Sequence, residues 1–215
     1  MIDLVQNYLP HFLSGFKITL MSSLLALLFS LIIGTFMAIF QLSSNRIVHG
    51  LAKAYVEFFR NIPLLIIVMF FYVVLPLYWI SFDGFQAGTI GLTIYTSAFI
   101  AETIRSGIQT VPKGQMEAGL SSGFTKNETM RYIVLPQAFK IVVPPLGNQF
   151  INLIKNSSIL AMVAGLDLMY QGDLIASETF NTFDTYIVVG LFYLVITLPL
   201  SYLMVHLEKK WAVRS

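Results

Sequence analysis

Charged residues divide this chain into long apolar stretches. Asp, Glu, Lys and Arg are absent from four of them: 18–45, 61–82, 84–101 and 185–207. A charge at bilayer depth costs several kcal/mol, so membrane helices avoid charged positions. About 20 apolar residues are enough to cross a bilayer as a helix. The four stretches therefore predict four membrane-spanning helices.

A fifth apolar stretch, 141–166, is interrupted. It contains Lys155, and the adjacent prolines Pro144 and Pro145 stand near its beginning. Proline in a membrane helix marks a kink or a break. We count this stretch as a broken fifth span. The predicted spans are 18–41, 61–82, 84–104, 141–166 and 185–207.

Composition agrees with a membrane protein of 215 residues. The chain is 56% hydrophobic and 11% charged, with a mean hydropathy of +0.76, whereas soluble domains carry about 25% charged residues. The net charge of +2 is too small for a nucleic-acid surface. Without cysteine there is no disulfide, thiolate nucleophile or cysteine zinc site. The predicted fold class is an all-α integral membrane protein, one transmembrane domain over residues 1–215.

Basic residues predict the orientation of the chain. They follow the first and third spans and fill the tail, at Arg46, Lys53, Arg60, Arg105, Lys113, Lys126, Arg131, Lys140, Lys209, Lys210 and Arg214. Acidic residues dominate the opposite side, at Asp83, Asp167, Asp173, Glu178 and Asp184. The positive-inside rule then predicts an outside N-terminus and a cytoplasmic C-terminus. The first apolar stretch is about twice as long as a signal-peptide h-region, so we expect it to stay as a span.

The polar segment 110–136 has the punctuation of two short helices. Pro112 suits the first position of a helix that carries Met116 and Leu120 on one face. Gly123 breaks that helix, and residues 125–128 have the form of a capping box that opens a second one, stopped or kinked at Pro136. Such a helix pair indicates a docking surface; the alternative is a pair that merely lies on the bilayer.

This segment resembles the EAA loop of ABC-importer permeases. The family pattern is E-A-A, three residues, G, nine residues and I-x-L-P, and residues 117–119, Gly123 and 133–136 follow its spacing with glycine in place of the second alanine. Residues 57–64, 101–108 and 135–138 are similar to the polar amino acid branch, whose members take up histidine, glutamine or glutamate/aspartate. The resemblance covers essentially the whole chain.

The resemblance implies a type I ABC-importer permease core whose loop docks in a groove of a separate ATPase subunit. The implied coupling residues are Glu117, Ala118, Gly119, Leu120, Gly123, Leu135 and Pro136. The sequence lacks a G-x-x-x-x-G-K-[ST] phosphate loop. We therefore expect no enzyme activity, cofactor or metal site in this chain, with ATP and Mg bound by the partner ATPase.

The same resemblance implies further partners and a cargo. They are a second copy or a similar permease, an extracytoplasmic amino-acid-binding protein and membrane lipid, in the bacterial cell (inner) membrane as a multi-pass protein, with no nucleic acid. The favoured cargo is glutamine or glutamate/aspartate, with histidine, arginine or cystine as alternatives. A stand-alone secondary carrier usually shows an internal repeat, and this sequence shows none.

A zwitterion needs polar groups inside the membrane, and few are available. Residues Lys155, Asn156, Ser157 and Ser158 lie midway along the broken span and are the first candidates for the substrate path. The alternative is that the serines pack against a neighbouring helix while Lys155 reaches towards the interface. We expect the two prolines to supply irregular backbone there.

Three acidic residues complete the candidates. Asp167 is either an ordinary solvated loop residue or captures the ammonium group at the outer mouth. Glu102 is spaced for an ion pair with Arg105, which is either a structural latch or a substrate contact. Glu57 and Arg60 have the same spacing and suggest an anchor at the inner surface.

Overall fold

The computed structural model describes residues 1–211 as a set of helices joined by short connections. Their bounds are α1 Ile2–Gln41, α2 Arg46–Asn61, α3 Leu64–Met69, α4 Gly84–Thr110, α5 Lys113–Ser121, α6 Lys126–Thr129, α7 Leu135–Asn156, α8 Leu168–Thr179 and α9 Thr182–Trp211. Four further turns extend them. Helix α3 continues through a π turn (Phe70–Val74) and a 3-10 turn (Leu75–Leu77). A π turn (Met130–Val134) joins α6 to α7, and a 3-10 turn (Ser157–Val163) follows α7. Arg214 of the predicted basic tail lies outside the described residues.

The predicted all-α class is confirmed, and several helices suit a membrane. Helices α1 and α9 are each long and apolar enough to cross one. Two bent pairs, residues 46–77 and 126–179, raise the number to four by length and composition. The five-span count and the orientation of the termini stay predictions.

Helix α4 lies at the centre of the packing. Helices α1, α2, α3 and α7 all pack against it. Close contact is possible because Gly34 of α1 faces Ile100, where an added Cβ would come within 2.7 Å of the isoleucine side chain. Since neighbouring helices cover much of α4, it carries buried threonines and serines; the Ser97 hydroxyl, for instance, lies 2.7 Å from the Tyr55 hydroxyl.

The helices do not share the bounds of the predicted spans. Helix α1 begins at Ile2 instead of residue 18 and runs through Pro10. The second predicted span, 61–82, holds only the shorter α3 segment, Leu64–Leu77, and the separate helix α2 before it meets that segment at an angle of 105°. The bend falls at Ile62, whose backbone is extended, as the residue before a proline prefers.

Three prolines do not interrupt the helix in which they lie. Helix α7 continues through Pro144 and Pro145, so the expectation of irregular backbone at these prolines is wrong. The irregular backbone follows Asn156, where the 3-10 turn ends at Ala164 with φ of 53°. Pro136 does not stop its helix either. In the π turn before it, the Leu135 N–H donates to the Met130 carbonyl, and this wider turn accommodates the proline ring.

One end of the bundle is built from α1, α8 and α9. Their buried contact includes Phe12, Leu168 and Val188. The backbone N–H of Leu168 donates to the Thr19 hydroxyl at 3.0 Å, which ties the start of α8 to α1. These contacts hold α8 beside the 3-10 turn that follows α7, where the polar residues of the broken span lie.

Candidate functional site

The segment between α4 and α7 folds as the sequence predicts. Helix α5 follows Pro112, and Gly123 ends it with φ of +87°, a conformation that favours glycine. The Glu128 N–H donates to the Thr125 hydroxyl at 3.3 Å, and the Thr125 N–H donates to the Glu128 carboxylate at 2.8 Å. The capping box is therefore confirmed, and its backbone hydrogen bond holds the pKa of Glu128 below its ordinary value.

This segment, residues 111–136, has an inner and an outer face. Met116 packs inwards against a cluster around Val111, Val134 and Ala138, while Leu120 is 46% exposed. Met116 and Leu120 stand one turn apart in α5, as predicted, and this side of the helix passes from the inner cluster at Met116 to exposed surface at Leu120. The inner face closes the ends of α4 and α7, which leaves the outer face free to contact a partner.

The predicted coupling residues divide between the two faces. Glu117, Ala118, Leu120, Gly123, Leu135 and Pro136 are exposed. Gly119 is buried, and a Cβ there would overlap Thr129. The small residue at 119 thus serves the packing of α5 on α6.

Sequence reasoning missed Phe124 at the tip of this segment. It follows Gly123, and its ring is 42% exposed. An apolar residue between a helix-ending glycine and a helix-starting threonine is the signal that could have identified it. An exposed aromatic ring on an outer face is typical of an anchor for a partner's pocket.

Polar residues midway along the broken span line three adjoining cavities. The first, about 350 Å³, is lined by Lys155, Asn156, Asn152 and Gln149 among others. The second, about 400 Å³, shares Asn156 and has Ser158 and Asp173 on its wall. The third, about 470 Å³, is lined by Lys155, Ser158 and Tyr186. Lys155, Asn156 and Ser158 therefore each line two of these neighbouring cavities.

Ser157 and Asp167 lie away from these cavities. The buried Ser157 hydroxyl donates to the Ile154 carbonyl in its own helix at 2.7 Å. Asp167 is 0% exposed, so the solvated-loop alternative is wrong. Its carboxylate accepts the Met169 and Tyr170 N–H groups at the start of α8. A place for either residue on a substrate path stays a prediction.

An ionic cluster lies near the other end of α4. Arg105 donates to both oxygens of Glu102, at 2.6 and 3.0 Å, which confirms the predicted pair. Arg60 approaches the same carboxylate at 3.8 Å. The suggested Glu57–Arg60 pair is wrong, because Glu57 instead approaches Lys53 at 3.6 Å. Glu102 and Arg60 line a cavity of about 410 Å³.

Residues outside the predicted set also reach the cavities. Asp173 accepts a hydrogen bond from the Tyr186 hydroxyl at 2.7 Å. Arg60 and Gln149 belong to cavity walls as well. These residues are far apart in sequence, and no local motif marks them; only the packing of α2, α7, α8 and α9 shows their position.

The helical bundle around α4, with polar residues on its cavity walls and an ordered surface segment, has the type I ABC-importer permease fold. The chain belongs to the family described as binding-protein-dependent transport system inner membrane component, which it matches over residues 30–213. It is therefore a multi-pass protein of the bacterial cell (inner) membrane.

Two relatives illustrate the family. The chain is 58% identical to the probable glutamine ABC transporter permease protein GlnM of Bacillus subtilis over 209 residues, 97% of each chain. It is 34% identical to the glutamine transport system permease protein GlnP of Escherichia coli, covering 95% of this chain and 94% of the relative.

Solved structures give the same fold. One, described as an amino acid ABC transporter with histidines, superposes with a TM-score of 0.91 at 38% identity over 96% of each chain. A chain of the MetNI methionine ABC transporter superposes with a TM-score of 0.75 at 19% identity, covering 94% of this chain and 98% of the other. The second likeness concerns the fold alone.

Proposed function

We propose that this chain is the permease subunit of an ATP-driven glutamine importer. The observation that carries the proposal is the 58% identity to a probable glutamine permease over 97% of both chains. Glutamate/aspartate is the second candidate cargo, because Lys155 places a positive charge on the wall of two cavities. Five spans, an outside N-terminus and a cytoplasmic C-terminus belong to this proposal.

Coupling to ATP hydrolysis takes place through the outer face of the segment 111–136. Glu117 supplies an ionic or polar contact, and Leu120 and Phe124 supply exposed apolar surface for a groove of the ATPase. Gly119 packs the two helices together, and Gly123 sets the turn between them. Leu135 and Pro136 are exposed where α7 begins. ATP and Mg belong to the partner subunit.

Cargo passes along the cavities that Lys155, Asn156 and Ser158 line. The ammonium group of Lys155 can meet a carboxylate, and the Asn156 amide and Ser158 hydroxyl can bond either end of a zwitterion. Ser157 and Asp167 support this region by fixing the end of α7 and the start of α8. Glu102 belongs to the next cavity along α4.

Three partners complete the transporter. Lys155 and Asn152 are exposed on one chain, which favours a path closed by a second copy or a similar permease. The ATPase binds the outer face of the coupling segment. An extracytoplasmic binding protein delivers the amino acid at the opposite end.

The decisive experiment is ATP hydrolysis by the permease and its candidate ATPase in lipid, with the binding protein and a panel of polar amino acids. Stimulation by glutamine supports the proposal. Stimulation by a different amino acid alone would refute glutamine as the cargo. Uptake driven by an ion gradient without any ATPase would refute the importer class.

Two variants test whether the outer face of the segment 111–136 docks the ATPase. Glu117→Lys reverses an exposed charge on the outer face, so the variant should insert normally, lose the ATPase on purification and fail to transport. Asp3→Lys reverses an exposed charge at the start of α1 and should behave as wild type. Wild-type uptake by Glu117→Lys would show that this face does not dock the ATPase.

A further inference from the structure

The cavity near the end of α4 combines charged and hydroxyl groups with apolar wall residues, and no ligand has been placed in it so far. Its polar wall comprises Arg60, Glu102, Thr103, Ser106, Thr110 and Gln149. Its volume of about 410 Å³ lies in the range of about 300–1,000 Å³ that small-molecule sites occupy. It shares Phe99 and Gln149 with the cavity that Lys155 lines, so the two cavities lie next to each other.

The charges of this site favour an anion. Arg105 occupies both oxygens of Glu102 through two hydrogen bonds. Arg60 is 3.8 Å from that carboxylate, beyond hydrogen-bond distance. Two guanidinium groups against one carboxylate leave a formal charge of +1 on these three residues, and the surplus belongs to Arg60.

Arg60 is held in place for such a ligand. Its guanidinium carbon lies 5.5 Å from the centre of the Phe99 ring, within the distance of a cation–π contact. Its side chain is 38% exposed, and among the described residues it donates no hydrogen bond. A guanidinium group binds a carboxylate through two parallel hydrogen bonds.

We propose that this cavity is an exit-side amino acid site in which Arg60 binds the α-carboxylate of the cargo. The inference rests on the proposed function, since it places the site at the cytoplasmic end of the route. Thr103 and Gln149 offer hydrogen-bonding groups for the rest of the molecule. Helix α4 ends at Thr110 on the same wall, directly before the coupling segment.

The absence of cysteine makes a local test possible. Ser106→Cys places one thiol on the cavity wall, and its rate of modification by N-ethylmaleimide reports whether the cavity is occupied. The assay uses the full permease–ATPase complex in detergent without the binding protein. With L-glutamine at about ten times its dissociation constant, mass action leaves about one site in eleven free, so the rate should fall about tenfold.

Ligand and protein controls sharpen the assay. L-Glutaminamide keeps the ammonium and side-chain amide but lacks the carboxylate, so it should not protect the thiol of the Ser106→Cys protein. Ser44→Cys, exposed at the same end of the molecule, should react at a rate that glutamine does not change. Arg60→Gln should weaken protection about 10- to 100-fold, the worth of a hydrogen bond to a charged group, while Lys53→Gln removes a cation of the same helix and should change nothing.

The outcomes distinguish failure of this proposed site from failure of the proposed cargo. Protection by glutamate and not by glutamine, lost in Arg60→Gln, supports the site and contradicts glutamine as the cargo. Glutamine-stimulated ATP hydrolysis with no protection of the thiol by any amino acid overturns the site and leaves the proposed function intact. Protection by phosphatidylglycerol alone overturns it too, since the anion would then be a lipid phosphate.

Discussion

Gly119 of α5 packs against Thr129 of α6 with no room for a side chain between them. A Cβ at position 119 would overlap the threonine methyl group and lie 3.0 Å from the Ile133 side chain. Because these residues stand on either side of the turn at Gly123, their contact fixes the angle between the two short helices. The shape of the segment 111–136 therefore depends on position 119 having no side chain.

We predict that Gly119→Ala loosens this segment. Overpacking of this kind typically costs about 1–3 kcal/mol, so amide hydrogen exchange over residues 113–129 should speed up and less ATPase should copurify. Gly114→Ala is the matched control, because nothing lies within 4 Å of its added Cβ and alanine favours the helix. Unchanged exchange in Gly119→Ala would show that the segment adjusts without cost.

The second prediction concerns pH. The Thr125 N–H lowers the pKa of Glu128 relative to the unfolded chain, so the capping box is fully present above the unfolded pKa and is lost as pH falls through the folded one. The Thr125 amide donates to the Glu128 carboxylate, so its protection, corrected for intrinsic exchange, should decrease at pH values below about 4.3. Glu128→Gln should show low sensitivity over the same range. Equal pH dependence in both proteins would contradict the assignment.

For the midway cavities, we predict that Asn156→Leu impairs uptake without loss of assembly. Asn156 lines two cavities, and each hydrogen bond lost to the cargo costs roughly 0.5–1.5 kcal/mol, or about 2- to 10-fold in transport efficiency. The measurement is initial uptake in proteoliposomes at several concentrations. Asn7→Leu, at an exposed position of α1, should transport normally. Wild-type kinetics in Asn156→Leu would move the path elsewhere.

Asp167 gives a prediction about stability. Asp167→Ala removes the acceptor for the Met169 and Tyr170 N–H groups and should lower stability by about 1 kcal/mol. Asp167→Asn keeps one acceptor oxygen and should lose less. Thermal unfolding in detergent, followed by tryptophan fluorescence, makes the comparison. If the alanine variant unfolds at the wild-type temperature, the cap contributes nothing.

Local patterns predicted the local features well. The Thr125–Glu128 box, the break at Gly123 and the Glu102–Arg105 pair depend on neighbours within four residues, so spacing along the chain was sufficient. Proline misled because its effect depends on the surrounding packing. Pro144 is buried inside a continuous α7, and neighbouring helices can cover the carbonyls that a proline leaves free.

The sequence by itself determined the membrane class, the helical content, the family and the outline of the coupling segment, because hydropathy and motif spacing are properties of the chain. Only the tertiary structure decided which side of that segment faces outwards, that Asp167 is buried, and that Arg60 joins Glu102 across two helices. Those relationships depend on the angles at which helices meet. The packing of α2 against α4 brings Arg60 beside Glu102, and residue spacing along one helix does not encode a contact with another helix.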